Sequence, residues 1–230
     1  MHIEEKNLDK IIFVDKPVGI TSFDVITMLR KKFCIKKIGH AGTLDPLASG
    51  LMICGIGKAT KKLINYVGLD KTYLTEIILG FTTPTLDLEM KPKEFQTVDH
   101  INQEKVKKVI DDLSGCDIEL EVPAYSAKRI NGRKLCNIIR KSGSLGEISI
   151  PKKLMHIRYL KFISLKDDFF EDHSIKLLSV EMKVSSGSYV RSIASEIGHR
   201  LGVDACCKSI RRIAIGEYDI NNVPLTSLNI

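Results

Sequence analysis

The chain opens its ordered pattern with an unbroken apolar run at residues 11–14, which reads as a short buried strand. It runs into Asp15-Lys16-Pro17-Val18-Gly19, where proline and glycine mark a turn. Thr21 or Ser22 then caps a predicted helix with Phe23, Ile26, Leu29 and Phe33 on one face. Residues 39–57 are punctuated by glycine and read as mostly loop. A short helix over 59–66, stopped by Gly68, and a strand over 72–79 follow. Val106, Val109, Ile110 and Leu113 predict a helix over 101–113 that stops at Gly115. Residues 118–122 alternate as a strand before Pro123, and 133–141 read as a short basic helix stopped by Gly143. Strands are predicted at 156–165 and 174–184. Ser188 is placed to cap a helix with Tyr189, Ile193, Ile197 and Leu201 on one stripe, closed by Gly202. A last strand covers 212–220. Strands and helices mix without strict alternation, which predicts an α+β fold with a mostly antiparallel sheet.

The 230 residues are 43% hydrophobic and 27% charged, an ordinary globular balance. No repeat or linker divides the chain, so one domain over 1–230 is expected. No apolar run reaches the roughly 18 residues of a membrane helix. The polar N-terminus lacks the apolar core of a secretory signal. A cytoplasmic protein with six reduced cysteines is expected, with no membrane partner.

Charge changes the picture through its distribution. The net charge is +7. Yet residues 125–165 alone hold ten basic side chains against Glu147, among them Lys128, Arg129, Arg133 and Lys134. Arg30, Lys31, Lys32, Lys36 and Lys37 form a second cluster, while 87–121 carry ten acids and five bases. Such asymmetry favours a basic binding face for a polyanion. Aromatics are sparse in the first window, which argues against a stacking platform for long single strands.

Most chemical motifs are missing. There is no phosphate-binding glycine loop of either common kind, so no nucleotide cofactor is expected. The histidines and cysteines lack ligand spacing, so no metal is expected. The segment Gly39-His40-Ala41-Gly42-Thr43-Leu44-Asp45-Pro46-Leu47-Ala48-Ser49-Gly50 stands apart. Its glycines permit close backbone approach, and the proline biases Asp45 toward an extended conformation. A loop aspartate held this way is a candidate nucleophile or base. By itself an Asp-Pro pair more often just makes a turn.

That segment, G-H-x-G-T-L-D-P-x-A-x-G, resembles the signature of the TruB family of pseudouridine synthases. Other stretches resemble the family in the same order: Asp15-Lys16-Pro17-x-Gly19-x-Thr21-Ser22, Lys71-Thr72-Tyr73, Leu79-Gly80, and Thr83-x-Thr85-x-Asp87. Further on come Pro123-Ala124-Tyr125-Ser126-Ala127, Ser186-Gly187-Ser188-Tyr189-Val190-Arg191, and Ile210-Arg211-Arg212. The likeness covers about residues 10–220. Ile210 stands where the family has leucine, and Thr82 where arginine is common.

The resemblance implies the pseudouridine synthase fold with a basic thumb-like insert at about 124–152. It implies a cofactor-free, metal-free isomerase that flips a uridine from its stack. The substrate implied is the T-arm of tRNA, with the uridine at tRNA position 55 as target. Asp45 would be the nucleophile or base, and Arg191 would pair with it. Tyr73 would stack on the flipped base. Tyr189 and Ile210 would line the pocket, and His40 would contact RNA. Lys16 would support the catalytic loop, and Lys128, Arg129, Arg133 and Lys134 would grip RNA from the insert. Many relatives continue into a PUA-like RNA-binding domain; a catalytic domain without one, acting as a monomer, is expected. The rival readings are a non-catalytic RNA-binding or tRNA-folding module, and a synthase acting on another RNA.

Overall fold

The computed structural model describes residues 8–130, 132–142 and 149–228, with side chains at 134 and 140–142 excepted. The chain forms two compact units. One comprises the described residues up to Leu74 together with those from Ile210 onward; the other is Thr75–Ser209. Eleven strands and five α-helices are found among the described residues.

In the first unit, β1 (Ile11–Lys16) pairs antiparallel with β3 (Ala48–Ile56) from Ile11↔Gly55 to Lys16↔Gly50. β2 (Ile38–His40) takes positions 54–56 of β3, and β10 (Ala205–Ile215) runs parallel to it through Ile210↔Ala48 and Arg212↔Gly50. The turn at Gly216 then folds β11 (Tyr218–Asp219) back on β10. The outer edge of β1 is covered by the C-terminal segment, where the Thr226 amide donates to the Phe13 carbonyl at 2.7 Å. That removes an exposed sheet edge. Leu51, Ile53, Ile215 and Ile220 pack with Phe13, Tyr66 and Tyr218. Each fully buried aliphatic side chain contributes about 1.5–3 kcal/mol.

α1 (Ser22–Phe33) is capped by Thr21, whose side chain accepts from the Asp24 amide while the Asp24 carboxylate accepts in return. This reciprocal pair is a capping box. The buried face holds Ile26 and Leu29 as predicted, with Val25 beside them, whereas Phe23 is 63% exposed. The loop expected over 39–57 is corrected: β2 and the nine-residue β3 occupy much of it. β3 is buried nearly throughout, so it lacks the alternation that signals a half-buried strand. Its glycines serve close approach. A Cβ on Gly50 (φ +108°) would overlap the Arg212 backbone, and one on Gly55 would lie 2.9 Å from the Ala59 carbonyl oxygen. The expected 59–66 helix is a 3₁₀ turn, Gly57–Leu63, followed by α2 (Ile64–Val67).

In the second unit the strand order is β10, β4 (Lys71–Leu79), β9 (His173–Val184), β8 (Lys152–Phe170), β5 (Asp117–Glu121). β4 and β10 each begin in one unit and end in the other. β8 and β9 are longer than predicted and form an antiparallel ribbon with register shifts near Arg158 and Ile163. α3 (Gln103–Leu113) is capped by the Asn102 side chain. The predicted helix from Arg133 starts later. Arg133–Lys134 is β7, hairpinned against β6 (Arg129–Ile130), and α4 is Leu135–Ser142; Gly143 lies outside the described residues.

α5 (Val190–Arg200) begins at the expected place, but its N-cap residue is Tyr189. Ser188 does not cap it; its hydroxyl pairs with Ser185 instead, at 3.0 Å. The last strand, expected over 212–220, is β10 starting seven residues earlier, then the turn and β11. Sheet pairing is antiparallel apart from β3–β10 among the strand pairs described in register, which is the predicted α+β class. No described helix is long and apolar enough to cross a membrane.

Candidate active site

Asp45 lies on the loop between β2 and β3, partly exposed, and the peptides on both sides of it are clamped. The Leu44 amide donates to the Ser22 hydroxyl at 2.9 Å, and that hydroxyl donates to the Leu44 carbonyl at 3.1 Å. The Pro46 carbonyl accepts from the Gly19 amide at 2.9 Å and from the Lys16 ammonium at 3.2 Å. Lys16 Nζ also donates to the carbonyls of Pro17 at 2.9 Å and Ile20 at 2.6 Å. The Lys-Pro-x-Gly-x-Thr-Ser stretch is therefore the seat on which Thr-Leu-Asp-Pro rests. Gly19, at φ +91°, adopts the left-handed backbone this seat requires.

Lys16 has no exposed surface. Burial pushes its pKa down to about 8, against the attraction of the Asp45 carboxylate. The nearby Arg212 guanidinium lowers it further, while Asp24 acts with Asp45. An ammonium held here stabilises negative charge on the loop aspartate.

Arg212 is another buried cation of this unit. Its Nε donates to the Leu51 carbonyl at 2.8 Å and its Nη2 to the Gly42 carbonyl at 3.2 Å, tying β3 and the Asp45 loop to β10. Burial and then Arg212 push His40 below its ordinary pKa of 6.5. Its Nδ1 accepts from the Gly42 amide at 3.3 Å, which fits a neutral ring. Arg211 forks onto both Asp15 carboxylate oxygens at 3.1 and 2.7 Å. Such bidentate pairs fix geometry as well as energy. Tyr73 on β4 and Ile210 on β10 are each 8% exposed and belong to the same unit.

In the second unit Arg191 sits in the first turn of α5, where a cation faces the positive end of the helix dipole. Asp87 answers that charge: Arg191 Nη1 lies 3.4 Å from its Oδ2, with both side chains 4% exposed. The same guanidinium donates to the Thr85 carbonyl at 2.6 Å and to the Tyr125 carbonyl at 3.2 Å. The hydroxyls of Thr83 and Thr85 both bond the Asp87 carbonyl, and the Asp87 amide donates back to Thr83. Thr-x-Thr-x-Asp is thus a local turn that aims one carboxylate at one arginine.

Tyr189 packs beside Val122, Leu135, Ile139 and Tyr125 at the root of the insert. A cavity of about 1190 Å³ in this unit has Thr83, Tyr125, Ile139, Ser192 and His199 in its wall. Lys128, Arg129 and Arg133 are exposed on the insert; the side chain of Lys134 lies outside the described residues.

The first unit holds Lys16, His40, Asp45, Tyr73 and Ile210, with Lys16 beside Asp45, and the second holds Arg191 and Tyr189. Sequence reasoning missed the Ser22 clamp, the Asp15–Arg211 fork, the buried Arg212 and the Asp87 partner of Arg191. Adjacent Arg211 and Arg212 between the apolar residues Ile210 and Ile213 were the signal available for two of them.

Residues 30–190 match the family model for the TruB family pseudouridylate synthase N-terminal domain. The tRNA pseudouridine synthase B of Endomicrobium trichonymphae is 36% identical over 216 residues, 94% of this chain and 89% of that protein. Those of Fusobacterium nucleatum (37% over 213 residues, 93% and 70%) and Clostridioides difficile (36% over 219, 94% and 68%) are similar. Two solved structures share the fold. A Cbf5-Nop10-Gar1 complex gives TM-score 0.65 at 21% identity over 93% of this chain. An H/ACA RNP bound to a substrate RNA containing 2'-deoxyuridine gives 0.62 at 22% over 91%. The chain spans about half the length of those two solved chains. The fold is that of the pseudouridine synthases. The chain belongs to the TruB family.

Proposed function

We infer that this protein isomerises uridine to pseudouridine in tRNA, and we propose the T-loop uridine at position 55 as its target. The observation that carries the reading is Asp45, with both flanking peptides clamped and a buried ammonium coupled to its carboxylate. A positioned, ionised carboxylate is what the reaction requires of the protein. The bond between uracil N1 and the ribose C1′ breaks, and C5 bonds to C1′. The C5 hydrogen leaves as a proton and N1 gains one, so no oxidant, metal or other cofactor is consumed. Attack on the ring, attack on the sugar and a glycal route all satisfy this balance.

Asp45 acts as nucleophile or base, with Arg191 as the guanidinium that serves it in the reacting state. Tyr73 stacks on the flipped uracil, Tyr189 and Ile210 border it, and His40 contacts the RNA beside it. Lys128, Arg129, Arg133 and Lys134 hold the T-arm from the insert through its phosphates. The protein is proposed to work as a cytoplasmic monomer.

The test is tritium release from tRNA labelled at uridine C5, with the product mapped by mass spectrometry. Near-stoichiometric release at position 55 by the wild type, absent in Asp45→Ala, is the expected result. Release at another site would discard the target and keep the chemistry. Tight tRNA binding without release would discard the enzyme reading for a binding or folding module.

A further inference from the structure

Lys153 is the second residue of β8, the strand on which the chain returns from the insert. Its ammonium turns to the protein. Nζ donates to the Gly187 carbonyl at 2.8 Å and to the Ser186 carbonyl at 3.5 Å. Both carbonyls belong to the turn that launches α5, and Tyr189 and Arg191 follow directly from it. The approach is close: a Cβ on Gly187 (φ +74°) would lie 2.3 Å from the Lys153 Nζ. Partial burial, and then the like charge of Lys128, hold the Lys153 pKa below the usual lysine value. Carbonyls that accept from the ammonium favour its charged form against both effects.

The neighbours of Lys153 on β8 hold the same turn. The Ser185 amide donates to the His156 carbonyl at 2.9 Å, and the His156 amide donates to the Ser185 hydroxyl at 3.2 Å. That hydroxyl pairs with Ser188, whose amide closes the turn on the Ser185 carbonyl at 3.2 Å. The Tyr189 amide donates to the Met155 sulfur at 3.4 Å. The strand that leads into the insert grips α5 as well. The Tyr125 carbonyl accepts from Arg191, and the Glu121 carbonyl accepts from the Ser192 hydroxyl at 2.7 Å. α5 has no side-chain N-cap, so these contacts set where its first turn lies. Lys153 supplies the charged contact on the β8 side.

We propose that Lys153 is a positioning residue for Tyr189 and Arg191, acting through the Ser186 and Gly187 carbonyls and not through RNA. The proposal rests on the pseudouridine synthase reading and adds a residue to that site. It ties the side chains proposed to border and serve the reacting uridine to the strand on which the insert returns.

The test measures kcat and KM for tritium release from tRNA labelled at uridine C5, per folded enzyme. The proteins are wild type, Lys153→Met, Lys153→Arg, Gly187→Ala and the Lys153→Met/Gly187→Ala double variant. Methionine keeps the stem and removes the donor. In Lys153→Met, kcat falls on the order of tenfold while KM stays within about twofold, because misplaced groups lose interactions made in the transition state. Arginine can donate to both carbonyls, so Lys153→Arg recovers kcat to within about threefold of wild type. The methyl of Gly187→Ala displaces the same ammonium, so the double variant loses less than the product of the two single losses.

An unchanged kcat in Lys153→Met would overturn the proposal. So would a raised KM and a lowered salt slope with kcat held, because Lys153 would then be a phosphate contact. Losses that multiply in the double variant would overturn it too. If Gly187→Ala does not fold, the two Lys153 variants decide the matter alone. Failure of the synthase reading shows separately, as wild type that releases no tritium, and it takes this proposal with it.

Discussion

The Lys16 ammonium reaches the Pro46 carbonyl, one residue beyond Asp45, across a separation of 30 residues in sequence. It ties the end of β1 to the loop after β2, and it does so with no exposed surface of its own. The same contact gives the candidate nucleophile a fixed backbone and a nearby positive charge. Replacing Lys16 with methionine keeps the stem and takes the ammonium from the Pro17 and Ile20 carbonyls, while the Pro46 carbonyl keeps the Gly19 amide. The protein is expected to lose about 2–4 kcal/mol of stability by denaturant titration, and residual turnover in the folded fraction is expected to fall.

Lys16 also sets a pH dependence with opposite signs for folding and activity. Its folded pKa is about 8 against 10.5 in the unfolded chain, so between these values the unfolded state binds the extra proton. The contribution of this group to stability therefore rises with pH across that window. Activity moves the other way, because the ammonium that supports Asp45 is lost above about pH 8. A kcat/KM profile should show an alkaline limb near pH 8 while the stability difference between wild type and Lys16→Met shifts toward wild type.

Arg191 and Asp87 are both buried, so removing one strands the other. Asp87→Leu should cost about 3–5 kcal/mol. The Arg191→Met/Asp87→Leu double variant should be more stable than the sum of the single losses predicts, by at least about 1 kcal/mol. Tritium release should be absent in the double variant, which separates the stabilising role from the proposed catalytic one. Additive losses in thermal melts would show that the pair is not coupled.

Gly50 faces the backbone of Arg212 at the parallel β3–β10 pairing. Alanine there meets a positive φ and an overlapping main chain. Both strands must part, and the arginine that holds the Gly42 carbonyl moves with them. A loss of about 3 kcal/mol or more is expected. For a chain of this size that is roughly a 6–12 °C fall in Tm. Gly68→Ala, where an added Cβ meets nothing within 4 Å, should melt like wild type.

Charge on the insert should read out as salt dependence. Substituting Lys128, Arg129 and Arg133 with glutamine is expected to weaken binding of the T-arm stem–loop and to lower its salt slope by about 2. These side chains are exposed, so the thermal midpoint should hold.

The Asp45 loop motif and the approximate bounds of α1, β4, α3, β5 and β9 were legible in the sequence. They rest on local chemistry: caps, glycine stops, apolar periodicity and a long motif. β3 was not legible, because a strand buried on both faces has no alternation and its glycines look like turn signals. The predicted face of α1 held at Ile26 and Leu29, which are buried. Phe23 fits the helical period but is exposed, and Val25 is buried in its place.

What the sequence determined by itself is the α+β class, the candidate residues and the family they resemble. The tertiary structure decided how those residues are held. Ser22 and Lys16 seat the loop of Asp45, Arg212 braces it from β10, and Asp87 answers Arg191. Each of these pairings joins side chains to groups distant in sequence or in another element. Local propensity and periodicity carry no term for such contacts; they exist because chain crossing and burial force polar and charged groups to find partners where the fold brings them.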